Sequence, residues 1–238
     1  MPALAEFCRV IVADKRGMGL SGRPPNFGLR EWLDDVELVR RTAGAERPIV
    51  FGMSAGGPVA LTYAARHLEH VAGLILYGTR ARYVRAADYP FGVDQERLDA
   101  ALARFEGAWG TGEFFEKTAP SAAGDPWLRA EFTRYERLSA SPASARAFAR
   151  EVFAMDVRDV LPAVDVPTLV LHATGDRTDP VDQARYMAAR LPRARMIELD
   201  SPDHLLWLSN RRGQLVEAIR AFVHEFGDAA SRPHATAV

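Results

Sequence analysis

The sequence holds a single cysteine, Cys8, among 238 residues. One thiol excludes an internal disulfide and suits a reducing compartment. Cys8 sits in the apolar stretch 7–12, where it reads as a buried structural thiol in a strand. Long apolar runs are missing too, so no segment reaches membrane-spanning length, and residues 1–7 are too short and too acidic for a secretory leader. Charge of one sign is not in excess: 30 Lys and Arg face 31 Asp and Glu, a net charge of −1. That balance excludes bulk attraction to nucleic acid or to an anionic membrane. Internal repeats and low-complexity tracts are absent, apart from a tail over 227–238 expected to be disordered. These absences point to a soluble, cytoplasmic protein with no nucleic-acid or membrane partner.

What is present is an ordinary enzyme-like composition, 48% hydrophobic and 26% charged, on a chain long enough to bury the core of one α/β domain. Its most informative stretch is Gly52-Met53-Ser54-Ala55-Gly56. A short β-branched strand over 47–51 precedes it and a helix over 59–66 follows, which is the context a Gly-x-Ser-x-Gly nucleophile elbow requires. Turning from strand to helix in so few residues strains the serine backbone and calls for neighbours nearly free of side chain at positions minus two and plus two. The turn also sets the Ala55 N–H at a helix N-terminus, where an oxyanion is favoured. Pro58 falls in the first helical turn, where a missing N–H costs little. The bland alternative is a glycine-rich turn with an incidental serine.

Taken in order, residues 8–13 read as a strand, and Asp14-Lys15-Arg16-Gly17-Met18-Gly19-Leu20-Ser21 as the loop at its end. That loop is expected to be structural, tied down by Asp14, Arg16 and Ser21. A helix over 29–42 presents Trp32, Val36 and Val39 at helical spacing and ends at Gly44. Residues 71–77 are nearly all apolar, as a central parallel strand buried on both faces should be. From 82 to 156 the strand–helix alternation stops, giving a helical, aromatic-rich insertion expected to lie as a lid over the elbow. A connecting helix over 156–164, a strand over 167–172, a helix over 181–191, a strand over 195–199 and a final helix over 211–226 complete the chain. The core thus comes in two parts, 1–81 with the elbow and 157–226 with the acid and base. Alternating strands and helices imply a mostly parallel sheet with helices on both faces. In such a sheet ligands gather at the carboxyl ends of the strands, just beyond which Ser54, Asp176 and His204 all fall.

A serine hydroxyl needs a general base, and the base needs a third group to hold its tautomer. His67 and His70 lie beyond the helix after the elbow, His224 and His234 in the last helix and tail, and His172 at a strand end where a packed core histidine is the better reading. His204, in a loop past a late strand, is the expected base. Asp176 follows its strand most directly and is the expected acid; Asp179 is the alternative, and Asp182 is already helical. Asp203 reads as a local turn or cap residue. The order Ser54, Asp176, His204 is that of the α/β-hydrolase triad.

On these residues the sequence resembles the α/β-hydrolase superfamily from about 7 to 226. The motifs are Asp14-x-Arg16-Gly17-x-Gly19-x-Ser21, Gly52-x-Ser54-x-Gly56-Gly57, Asp176 and His204. More narrowly it is similar to hydrolase domains associated with bacterial adenylate/guanylate cyclases, through Phe51-Gly52-Met53-Ser54, Tyr77-Gly78-Thr79 and Asp203-His204-Leu205-x-Trp207. The resemblance implies a carboxylic-ester hydrolase working through an acyl-serine, with a small-molecule ester as substrate and no metal or organic cofactor. No cyclase domain follows Phe226, so cyclisation is not expected. Ser54 argues against dehalogenase or epoxide-hydrolase chemistry, which in related folds uses an aspartate at the elbow; C–C hydrolysis and perhydrolase chemistry share the serine and stay open.

Two departures from the family pattern bear on the expectation. Ala173 replaces a glycine common in relatives. Relatives also carry further strands before the one expected at Cys8, and a loop there supplies half of the oxyanion hole. The expectation is therefore an N-terminally truncated fold in which Ala55 is the one identifiable oxyanion donor, and loss of one donor costs about 10²–10³ in turnover. Either residues 8–13 pair directly with the strand before the elbow, or the sheet keeps an exposed edge that invites self-association. A catalytically weak or inactive module binding an apolar ligand or a partner is the alternative to an esterase.

Overall fold

A computed structural model describes residues 2–209 and 211–227. The expected disordered tail lies, from Asp228 on, outside the described residues, as does His234. In chain order the elements are α1 (Pro2–Ala5), α2 (Leu29–Thr42), β1 (Ile49–Met53), α3 (Gly57–Arg66) and β2 (Gly73–Tyr77). Then come α4 (Leu98–Ala108), α5 (Glu113–Thr118), α6 (Pro126–Ser139), α7 (Pro142–Ala154), β3 (Thr168–Ala173), α8 (Val181–Ala188), β4 (Ala194–Leu199) and α9 (Arg212–Phe226).

The strands form one parallel sheet in the order β1-β2-β3-β4, with Ile49 opposite Gly73, Leu74 opposite Thr168 and Thr168 opposite Ala194. Every residue of β2 and β3 is buried, as expected of central strands covered on both faces. Their side chains alternate between two cores. Leu74, Leu76 and Val170 pack with Trp32, Leu61 and Met187 under α2, α3 and α8. Ile75, Leu169 and Leu171 point the other way, onto Leu215, Ile219 and Phe222 of α9. Each such side chain contributes about 1.5–3 kcal/mol on burial. The result is a parallel sheet flanked by helices on both faces.

The strand expected over 8–13 does not form. The segment joins no ladder, and Ile11 and Val12 are 39% and 67% exposed. Its β-branched composition suits a strand, but a strand persists only through a neighbour's hydrogen bonds and packing. β1 is consequently an edge strand among the described residues, with Phe51 exposed. Cys8 is half-buried rather than buried, and its thiol donates to the Leu4 carbonyl at 3.3 Å. The strand expected over 47–51 shifts to Ile49–Met53 and runs directly into the elbow. The helix expected over 156–164 is a 3₁₀ turn, Arg158–Ala163, interrupted by Pro162.

Between β2 and β3 the chain passes through α4, α5, α6 and α7. The two ends of this helical segment meet at an antiparallel bridge between Arg82 and Asp156, where the side chains also form an ion pair. Tyr83 stacks on Phe153 beside that bridge, with ring centroids 3.7 Å apart. Phe105 continues the aromatic packing onto Phe153, Trp109 and Phe114. No described helix is long and apolar enough to cross a membrane.

Candidate active site

β1 delivers the chain into a tight turn, Ser54–Gly56, before α3 begins. Ser54 has φ 47°, the one non-glycine residue with positive φ among the described residues. Such a conformation costs about 1–3 kcal/mol and is kept where surroundings enforce it. Here the Thr79 hydroxyl donates to the Ser54 carbonyl at 2.5 Å. A Cβ on Gly52 would lie 2.7 Å from the Ala60 Cβ, so the minus-two position must be bare for α3 to pack on β1. The plus-two position is different. Gly56 has room, its nearest neighbour being Lys15 Nζ at 3.8 Å, and the crowded glycine is Gly57, where a Cβ would fall 2.0 Å from Thr79 Oγ1. Ser54 is half-buried, and the Ala55 N–H lies in the first turn, where helical N–H groups have no partner inside the helix.

Asp176 follows β3 and His204 follows β4, and because these strands are parallel neighbours their loops emerge side by side. His204 Nδ1 lies 2.6 Å from Asp176 Oδ2, with both residues buried. A carboxylate accepts, so Nδ1 carries the proton and Nε2 presents a lone pair. Asp176 Oδ1 accepts the N–H groups of Thr178 and Asp179 at 2.7 and 3.0 Å. Burial alone would raise the Asp176 carboxyl. The hydrogen bond from His204, and the positive charge of its ring when protonated, outweigh burial and hold the carboxyl below the ordinary carboxylate range. Tyr77 grips the base loop from beneath: its hydroxyl donates to the His204 carbonyl at 2.6 Å and accepts the Leu206 N–H at 2.9 Å. Gly78, at φ 50°, leaves space for the imidazole; a Cβ there would sit 3.1 Å from His204 Cε1.

The structure thus brings Asp176 and His204 together. It does not hydrogen-bond Ser54 to His204, since the Ser54 hydroxyl has no partner among the described residues. Asp179 faces elsewhere, in a buried ion pair with Arg80. His172 is fully buried, and its Nε2 donates to the Asp179 carbonyl at 2.6 Å. The loop 14–21 is tied as its residue types suggest: Asp14 accepts the Leu20 N–H at 2.9 Å, and Arg16 pairs with Asp35. Asp203 does more than shape its own turn, because its carboxylate accepts from Ser121 in the helical segment as well as from Ser201. Sequence reasoning missed the working contacts of Tyr77, Gly78 and Thr79. Their signal was three consecutive polar or small residues closing an otherwise apolar central strand.

Comparison with known proteins bears on the fold and the family. The family model described as "alpha/beta hydrolase fold" matches residues 1–210. The chain belongs to the α/β hydrolases. It is 31% identical over 205 residues to the AB hydrolase superfamily protein YisY of Bacillus subtilis, covering 82% of this chain and 74% of that one. It is 32% identical over 178 residues to a pimeloyl-[acyl-carrier protein] methyl ester esterase of Aromatoleum aromaticum, covering 68% of each. Among solved structures, an esterase from Exiguobacterium antarcticum superposes with a TM-score of 0.78 at 25% identity, covering 88% of this chain and 79% of the other.

Two further features of this hydrolase lie outside these contacts. The Lys15 ammonium lies 5.3 Å from the Phe148 ring centroid, with no carboxylate partner among the described residues, and burial pushes its pKa down. His67, Glu69 and His70 bring donor atoms within 4.8 Å of one another. They sit beyond the C-terminal end of α3, whereas Ser54 precedes its N-terminus. A cation there would be separate from the serine by the helix length.

Proposed function

We propose that this hydrolase cleaves carboxylic esters of small acyl groups through an acyl-serine intermediate. Ser54 is the nucleophile, His204 the general base, Asp176 the residue that orients and charges the base, and the Ala55 N–H an oxyanion donor. The observation that carries this reading is the buried 2.6 Å contact between His204 Nδ1 and Asp176 Oδ2, together with the strained turn that holds Ser54 at the end of β1.

In this reaction Ser54 Oγ attacks the acyl carbon and passes its proton to His204 Nε2. Asp176 stabilises the resulting imidazolium, and the oxyanion faces Ala55. Collapse returns the proton to the departing alcohol and leaves Ser54 acylated; water then repeats the sequence with His204 as base. Proton transfer needs Ser54 and His204 within hydrogen-bond reach, a contact that commonly tightens only with substrate bound. The segment 82–156 acts as the lid over the serine, which its attachment at Arg82 and Asp156 beyond the end of β2 favours. The motifs shared with cyclase-associated hydrolase domains fit the same ester chemistry, and the acyl-carrier-protein methyl ester of one relative belongs to the same bond class.

The test is hydrolysis of p-nitrophenyl acetate by the wild type beside two variants. Ser54→Ala should lose at least about 10³-fold in kcat, and Asp176→Asn about 10²–10⁴-fold with the fold intact. Normal turnover in Asp176→Asn would remove Asp176 from the mechanism, and Asp179, the alternative acid by sequence, is already engaged by Arg80. A folded wild type no more active than Ser54→Ala would instead favour a ligand- or partner-binding module.

A further inference from the structure

We propose that Asp203 is a positioning residue that fastens the helical segment to the loop carrying His204, so that the base holds its working position only while residues 118–121 are docked there. The inference rests on the role proposed above for His204. Asp203 is completely buried, and no Lys, Arg or His pairs with it among the described residues. A buried carboxylate without a counter-ion is costly unless hydrogen bonds satisfy it. Those bonds come chiefly from a segment 82 positions away in sequence. Asp203 Oδ1 accepts the Ser121 N–H at 2.9 Å, and Oδ2 accepts the Ser121 hydroxyl together with the Ser201 hydroxyl at 3.2 Å.

The other side of the base is bound to the same segment, since the Leu205 N–H donates to the Thr118 carbonyl at 2.9 Å. Leu205 also packs on Phe115 and Ala119. Residues 203 and 205 therefore lean on 118–121 from above while Tyr77 holds residues 204 and 206 from below. An apolar residue at 203 would fill this volume at a lower desolvation cost. A carboxylate that must collect an N–H and an O–H from a distant segment admits only one docked arrangement. Docking of the segment and placement of the base become one event.

The experiment measures kcat and KM for p-nitrophenyl acetate, with thermal midpoints alongside, in Asp203→Ala, Asp203→Asn, Ser121→Ala and the Asp203→Ala/Ser121→Ala double variant. Asp203→Ala is expected to lose at least about tenfold in kcat and Ser121→Ala about threefold, with KM changing less. Asp203→Asn keeps an acceptor for the Ser121 N–H and a polar partner for its hydroxyl, and should stay within about threefold of wild type. The double variant should be no slower than Asp203→Ala, because both substitutions remove one link. A folded Asp203→Ala within about twofold of wild type would overturn the proposal, as would an Asn variant as slow as Ala or multiplying effects in the double variant. Should Asp203→Ala not fold, Ser121→Ala and Asp203→Asn decide by the same criteria. Loss of activity in Ser54→Ala with Asp203 indifferent would sink this inference alone; equal activity in Ser54→Ala and wild type would sink the catalytic reading beneath it.

Discussion

The sheet and the helical segment between β2 and β3 are held together in different ways. In β2 and β3 every residue is buried. In α6, Glu136 is the single buried residue, while Trp127, Tyr135 and Leu138 are exposed. The sheet is stabilised by contiguous apolar packing on both faces. The segment relies on a thin aromatic interior, rim ion pairs such as Arg104–Glu113 and Arg129–Glu116, and a few hydrogen bonds to the base loop. Exposed pairs of that kind contribute little to stability. The contrast fits the proposed division of labour, in which Ser54, Asp176 and His204 follow strands of the rigid sheet and the less densely packed segment serves as the lid.

Breaking the sheet should have the larger effect. Leu171 is fully buried in the α9-facing core, so Leu171→Ala is expected to lose about 2–5 kcal/mol of unfolding free energy in urea titrations. A loss near that of a surface substitution would mean the two regions do not differ as described.

A smaller and pH-dependent effect is expected in the segment. Glu136 is 1% exposed and its carboxyl pKa is pushed up to about 7 by burial, against a partial pull downward from the Gly110 N–H. Between the ordinary value of 4.5 and about 7 the folded state binds this proton more than the unfolded state does. Stability therefore falls as pH rises through that window and stays lower above it. Glu136→Gln should remove this slope, melting above wild type at pH 8 and close to it at pH 4.5 or below. The same difference at both pH values would show that the carboxyl's charge is not responsible.

The smallest effect is assigned to the outer face of α6. Leu138→Ser, at a position 66% exposed, should change stability by no more than about 0.5 kcal/mol. A shift several times larger in thermal melts would mean this face is covered in solution.

Much of this was legible in the sequence because it is local. The strand–Gly-x-Ser-x-Gly–helix pattern announced the turn at Ser54, and the apolar run at 71–77 announced a central strand. The spacing of Asp176 and His204 past two late strands marked them as neighbours of the sheet's carboxyl end. Residues 8–13 misled for a physical reason: β-branched composition states a preference, and whether a ladder forms depends on what lies alongside. The crowding at Gly57 rather than Gly56 was likewise invisible, because it depends on Thr79, which reaches the turn from the loop just past the end of β2.

The sequence by itself determined the fold class, the elbow and the types of residue available for its chemistry, since these follow from short-range periodicity and turn requirements. Only the tertiary structure decided that Asp176 rather than Asp179 faces His204, that Arg80 occupies Asp179, and that Asp203 reaches Ser121. Those outcomes depend on which distant segments are packed against one another, and the direction of a buried carboxylate is settled by the donors that packing brings within 3 Å of it.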